Sequence, residues 1–348
     1  MPTIAAEQLR SFAGDLLAAG GFDSADATAM ADLLVWANLR GIDSHGVLRV
    51  PRYIEMLEQN LVKTGRAIRE ARRFGAICIL DADFAPGARA MLRAVEEASA
   101  LAATFGLGWC GVRRTSHAGA IGYFAEKLTN EGKIAIVMTA SKPLMGYYGA
   151  KGEALSSNPL AIGVPQADGR PAIILDMSTA AVALGKIMSA KDAGTLIPIG
   201  WGVDAAGGDT TDPHAVTAVL PMAGAKGSGL SLMIEVLCSV LSGNPNIAPA
   251  LLGGKSGSFN GMVLAIDPAA FGDPDQIIAD VRSLADAIHG LDPAPGVDRV
   301  LLPGERGYAE QLTRSRDGIP VAAGTAKRLR NCAESLDLPI PTALAANT

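Results

Sequence analysis

Apolar residues recur at helical spacing through the first sixty residues. Leu9, Phe12 and Leu16 share one face of a helix over 4–20 that Gly20-Gly21 closes, and Met30, Leu33, Leu34 and Ala37 do the same for a helix over 25–39 before Gly41. A polar link near 63–66 follows, and then the pattern changes. The run 75–80 predicts a strand, 88–105 a helix, and beyond them short strands at 134–139, 172–175 and 262–266 alternate with helices at 183–188 and 274–287. Ser178 or Thr179 is expected to cap the helix over 183–188. The stretch 221–230 opens the most apolar helix of the chain, and the tail 322–336 is helical again until Pro339 and Pro341 stop it. The expected architecture is α/β, with residues 1–62 and 318–348 forming a separate helical domain. Residues 63–317 then form an α/β region, with a small subdomain near 106–132.

Composition narrows the class. At 348 residues the chain has room for more than one hydrophobic core, and 40 glycines with 19% charged residues describe a loop-rich α/β enzyme. A net charge of −5 and the lack of a basic patch argue against nucleic acid as a partner. No apolar run approaches the length of a membrane span; the nearest, 230–241, carries Glu235. The N-terminus reads as a mature helix rather than a signal peptide, and four scattered cysteines lack metal-ligand spacing, so a reduced, cytoplasmic protein without a metal is expected.

Chemistry concentrates at residues 40–54, where Asp43, Ser44, His45 and Arg49 precede Pro51. Histidine exchanges a proton near neutral pH, and the arginine fork matches a carboxylate, so the cluster suits an organic acid. An unbroken helix from Ser44 would put His45, Arg49 and Tyr53 on one face, but Pro51 favours a junction there. The competing reading is a solvated helix end capped by Ser44. Ser116 and His117 stand at a strand-to-helix turn, either catalytic or structural. Asp176 closes a strand, facing a ribose hydroxyl or a helix N-terminus. Pro221-Met-Ala-Gly-Ala-Lys-Gly-Ser-Gly-Leu230 combines glycines, a helix start and Lys226, which suits a phosphate, or else packs closely on a neighbour; it lacks the P-loop order. Residues 106–111 satisfy G-x-G-x-x-G but follow a helix and enter a strand, the reverse of the dinucleotide-binding context.

Taken together, Arg40-Gly-Ile-Asp-Ser-His-Gly46, Ser116-His-Ala-Gly-Ala-Ile-Gly-Tyr123, Ser157-Asn-Pro159, Asp176-Met-Ser178, Thr211-Asp-Pro213 and Ala225-Lys-Gly227 resemble the type 2 malate/L-lactate dehydrogenase family over nearly the whole chain. The resemblance implies a mixed-sheet, non-Rossmann nucleotide-binding domain and a homodimer. It implies hydride transfer between NAD or NADP and a 2-hydroxy or 2-keto acid, or a cyclic imino acid. Gly119–Phe124, Pro293–Gly296 and Leu302–Gly304 are most similar to the family's ureidoglycolate-oxidising branch. By resemblance His117 is the proton acceptor, and Ser44, His45, Arg49 and Tyr53 hold a small carboxylic acid. Ser141, Asp176, Met177, Ser178, Lys226, Gly227, Gly304, Glu305 and Arg306 meet the cofactor. The chain departs from the family at Met145-Gly-Tyr-Tyr-Gly149, where a proline and a Trp/Phe-Gly-Gly turn are usual. Non-catalytic anion or metabolite binding on the same fold, and a metal-dependent dehydrogenase, are the alternatives.

Overall fold

The computed structural model describes residues 1–254 and 257–345, without the side chains of residues 189 and 192. In chain order the elements are β1 (Thr3–Ile4), α1 (Ala6–Ala19), α2 (Ser24–Leu39), α3 (Val50–Glu58), β2 (Arg69–Phe74), β3 (Ile77–Asp81), α4 (Gly87–Phe105), β4 (Leu107–Thr115), α5 (Gly122–Thr129), β5 (Ile134–Ala140), β6 (Leu160–Val164), β7 (Ile173–Met177) and α6 (Leu184–Ala193). There follow β8 (Gly202–Val203), β9 (Ala218–Val219), α7 (Ala225–Glu235), a π-helical turn (Val236–Val240), α8 (Ile247–Leu251), β10 (Phe259–Ile266), α9 (Pro274–His289), α10 (Glu305–Asp317), β11 (Ile319–Pro320), α11 (Ala323–Ser335) and α12 (Thr342–Ala345).

The main sheet has seven strands in the order β2-β3-β4-β10-β5-β6-β7. It is mixed: β3 and β4 run parallel, and the other neighbours are antiparallel. Alternation along each strand splits its side chains between two faces. On one face Val263 and Ala265 of β10 join Ala135 and Val137 of β5 in a core with α4 and α5. On the other, Met262 and Leu264 join Met138 and Ala140 against Ile234 and Cys238. The first of these cores runs without a break into Leu9, Leu16 and Leu34 of α1 and α2. The chain ends meet, since β1 pairs with β11 and α11 packs on α3.

The register places every site-bearing loop at one end of the sheet. Thr115 of β4 pairs with Phe259, Ala140 of β5 with Asn260, and Leu160 of β6 with both Met138 and Met177. The carboxyl ends of β4, β5 and β7 therefore lie side by side with the amino ends of β10 and β6. In α/β sheets the crevice outside strand carboxyl ends is where ligands bind.

Several expected elements shift. Residues 69–74 form a strand that the pattern reading passes over, because Arg-Glu-Ala-Arg-Arg-Phe is an exposed edge with no buried face to alternate. The turn carrying Glu305 and Arg306 proves to be the start of a helix, α10, which has no fully buried residue and so no apolar stripe. Neither Ser178 nor Thr179 caps α6: its N-cap is Ala183, while the Ser178 and Thr179 hydroxyls donate to the Ser157 carbonyl. Gly106 ends α4 in the left-handed region (φ 80°) and β4 begins at once, in keeping with the strand-entering context of its glycine motif.

Candidate active site

Residues 40–54 form a junction. Arg40 ends α2, Asp43–His45 and Val47–Arg49 make two 3-10 turns, and α3 starts with Pro51 in its first turn. Ser44 caps no helix; its hydroxyl meets His45 Nδ1 at 2.9 Å. Asn38 ties the junction down by donating to Asp43 and accepting from the Val47 amide. One turn into α3, the buried Tyr53 meets His117 Nδ1 with its hydroxyl at 2.8 Å. His45 stacks on His117 with ring centroids 5.6 Å apart, and Phe259 closes on the same ring edge-on. The structure thus brings Ser44, His45, Tyr53 and His117 together, and Arg49 lines the same cleft.

The strand beneath His117 is irregular. Between Thr115 and Val112 the β4 register slips against β10, the mark of a bulge. Arg114 lies there with φ 55°, uncommon for a residue with a side chain. Its amide donates to Asn260 Oδ1 at 3.2 Å and its guanidinium grips Asp81. The Ser116 hydroxyl accepts from the Gly87 amide at the start of α4. These contacts fix the backbone that carries His117.

Electrostatics favour neutral imidazoles. Burial pushes the His117 pKa well below its usual value, and His45 and Arg49 push the same way. His45 is lowered to about 4 by burial and then by Arg49. Tyr53 is raised by burial, so its hydroxyl stays protonated. With Nδ1 engaged, His117 Nε2 has no protein partner among the described residues.

A cleft of about 530 Å³ holds His117, Ser116, Tyr53, Arg49, Phe259 and Lys142. Lys142 and Phe259 were not singled out by sequence. The signal for Phe259 is its pairing opposite Thr115, which only the assembled sheet supplies. Ser141 is buried at the end of β5 and bonds Ser156 at 2.7 Å.

A second cavity, of about 650 Å³, holds Asp176, Gly304, Arg306 and Arg40. Asp176 is surrounded by protein yet open to that cavity; burial raises its pKa to about 6, and the Gly122 amide at the start of α5 donates to one of its oxygens. Arg40, buried below, donates to the Gly304 carbonyl and Glu126. Glu305 turns away, accepting from the Leu302 amide and pairing with His289 at 2.8 Å. At α7 the Lys226 and Gly227 amides are taken by the Ala223 and Met222 carbonyls, so an anion there would meet the exposed Lys226 ammonium rather than a ring of free amides. Met177 ends β7 and Ser178 follows it. Arg306 and Lys226 as cations and Asp176 as an acceptor form a donor set that fits a dinucleotide's phosphates and ribose hydroxyls. No cluster of metal-ligating side chains occurs among the described residues, and no described helix is long and apolar enough to cross a membrane.

A family model described as malate/L-lactate dehydrogenase matches residues 4–330. The chain is 32% identical over 324 residues to a ureidoglycolate dehydrogenase (NAD(+)) of Escherichia coli strain K12, covering 91% of this chain and 92% of that one. Its fold superposes on a sulfolactate dehydrogenase from Methanocaldococcus jannaschii with a TM-score of 0.86 at 30% identity, covering 97% and 98% of the two chains. A delta1-piperideine-2-carboxylate reductase from Pseudomonas syringae pvar. tomato gives a TM-score of 0.83 at 27% identity, covering 96% and 100%.

Proposed function

The chain belongs to the malate/L-lactate dehydrogenase family, and from that premise we propose that it is a dehydrogenase moving a hydride between NAD(H) and a small 2-hydroxy/2-keto acid, with His117 as general base and acid. The observation that carries this reading is His117 itself. Tyr53 holds its Nδ1, its Nε2 has no protein partner among the described residues, and it shares one cleft with Arg49. Oxidation of a secondary alcohol needs a base on the hydroxyl proton, and a neutral imidazole supplies it. For Nε2 to take that proton, Nδ1 keeps its own hydrogen and the Tyr53 oxygen accepts it. Arg49 clamps the carboxylate, with Ser44 and His45 beside it, because a guanidinium offers two parallel donors to two oxygens. The cofactor, when bound, would supply the hydride acceptor for C2. Lys226, Arg306, Asp176 and the loops after β5 and β7 would hold it. NAD is favoured over NADP because the Escherichia coli relative's name specifies NAD(+).

In this reading residues 1–62 with 318–348 act as the unit that presses Arg49 and Tyr53 onto the sheet-borne His117. The protein works as a cytoplasmic homodimer, a reading supported by apolar side chains left exposed on it, Met233, Val240, Leu241 and Leu252 among them. Reduction of a cyclic imino acid is the second reading, supported by the fold shared with the piperideine-2-carboxylate reductase. The test follows the near-ultraviolet absorbance of NADH with a panel of 2-keto acids and one cyclic imino acid. Turnover of a keto acid supports the first reading, turnover of the imino acid alone the second. No turnover at all would point to non-catalytic binding.

A further inference from the structure

We propose that Asn260 is a positioning residue for His117: its buried carboxamide holds the β4 bulge from which the histidine loop departs, and Ser239 and Glu235 hold the carboxamide. The proposal rests on the reading of His117 as the proton-transferring group and adds what keeps that group in place. In the slipped register Phe259 pairs with Thr115 and Gly261 with Val112, which leaves Arg113 and Arg114 both facing Asn260. Two residues against one make a bulge, and the extra residue loses its ladder partner. On the β3 side the Arg113 carbonyl accepts the Ala82 amide at 3.0 Å, the Arg114 carbonyl accepts the Phe84 amide at 2.6 Å, and the Arg114 guanidinium grips Asp81. On the β10 side the Arg114 amide, left without a strand partner, goes to Asn260 Oδ1. A non-glycine residue at φ 55° persists only where its surroundings over-determine it, and this amide contact is what β10 contributes.

Asparagine is the residue type the position needs. Asn260 is buried, and its carboxamide makes all four of the bonds open to it. Oδ1 accepts from the Arg114 amide at 3.2 Å and from Asn244 Nδ2 at 2.8 Å, while Nδ2 donates to the Asn244 carbonyl and to Ser239 Oγ, both at 2.9 Å. Turning the amide over would set donors against donors, so its orientation is fixed. Ser239, in the π-helical turn, passes its own hydrogen to Glu235 Oε2 at 2.8 Å. Glu235 Oε1 in turn accepts the Asn246 and Ile247 amides at 2.8 and 3.1 Å. The chain of bonds therefore starts on backbone amides and ends on the amide of Arg114. Asn260, Ser239 and Glu235 are all buried and are not among the described residues that line the cleft, so an effect on catalysis has to reach His117 through the bulge.

The experiment measures initial rates of the full-length wild type, Asn260→Ala and Ser239→Ala, each also in a His117→Ala background, with NADH and the 2-keto acid that the wild type turns over fastest. The NADH Kd is taken from fluorescence titration, and hydrogen exchange at the Arg114 amide reads the contact without any substrate. Asn260→Ala should lower kcat by about 10- to 100-fold with the acid KM and NADH Kd within about threefold, because a displaced catalytic group loses rate rather than binding. Ser239→Ala, which leaves Asn260 its bond to the Asn244 carbonyl, should lower kcat by about threefold. In the His117→Ala background neither change should lower the residual rate by more than about twofold, since the group they aim is gone. Exchange at the Arg114 amide should quicken by about tenfold or more in Asn260→Ala. An equal loss in both backgrounds, a rise in KM at constant kcat, or wild-type kcat in a folded Asn260→Ala protein overturns the proposal. If Asn260→Ala does not fold, Ser239→Ala decides: wild-type kcat, or a loss that persists without His117, overturns it. If the wild type turns over no acid, the dehydrogenase reading falls; faster Arg114 exchange in Asn260→Ala then still upholds the anchoring of the bulge, and unchanged exchange overturns it.

Discussion

A histidine acts as a base at one nitrogen only if the other is held, and in this chain Tyr53 does the holding. Its oxygen, 2.8 Å from His117 Nδ1, accepts the Nδ1 hydrogen both before and after a proton reaches Nε2. The Gly119 amide, 3.4 Å from the same nitrogen, can only donate and is the weaker contact. Tyr53→Phe should therefore lower kcat by about fivefold, the scale of one hydrogen bond of roughly 1 kcal/mol, with little change in KM. Steady-state kinetics check this, and an unchanged kcat would make Tyr53 a packing residue. At this scale the sequence was informative where motif and chemistry coincide, at Ser44, His45, Arg49 and His117. It was silent on Lys142, because a lysine in a polar loop looks alike whether it faces a cleft or bulk water. For Asp176 it left two environments open, and the structure supplies a helix N-terminus, that of α5, together with an open cavity face.

Elements aim these residues. The β4 bulge, with Arg114 in the left-handed region, turns the chain just before His117, and α4 abuts the same loop from behind. A Cβ added at Gly87 would stand 2.4 Å from the His117 carbonyl oxygen and 2.6 Å from that of Ser116, so no side chain fits without moving the backbone. Gly87→Ala should displace the His117 loop and reduce kcat by about 10-fold or more, since small misplacements of a catalytic group cost large factors. Far-ultraviolet circular dichroism should show the helices intact. Wild-type kcat in a folded Gly87→Ala protein would show that the loop's position does not matter. None of this was legible in sequence. Helices and strands with one buried face announce themselves by periodicity, as α1, α4 and β5 do. The all-exposed β2, the weakly amphipathic α10 and a one-residue bulge leave no periodic trace.

At the scale of the whole molecule, one end of one mixed sheet gathers segments far apart in sequence. β4 delivers His117, β5 Ser141 and Lys142, and β7 Asp176, while the 40–54 junction closes over them from the helical side. Four inter-strand steps from β4 or three from β10 reach β7, so the crevice extends roughly 15–20 Å along the sheet end. The sequence pattern predicted an α/β chain whose ends return to each other. It did not predict strand order, which depends on pairings between distant segments that no local periodicity encodes.

Whether His117 moves the proton is decided by the pH dependence of kcat/KM for hydroxy-acid oxidation. Burial, His45 and Arg49 lower the free-enzyme pKa of His117 well below 6.5, so the base is already neutral near pH 7. The wild-type profile should rise with pH through that acidic pKa and be level at neutral pH. The kcat limb should lie at higher pH, because a bound carboxylate favours the imidazolium. His117→Ala should lower the rate by about 10²–10⁴-fold and abolish the limb while NADH affinity persists. If His117→Ala retains both rate and limb, and His45→Ala loses them, the proton passes through His45 and not through His117.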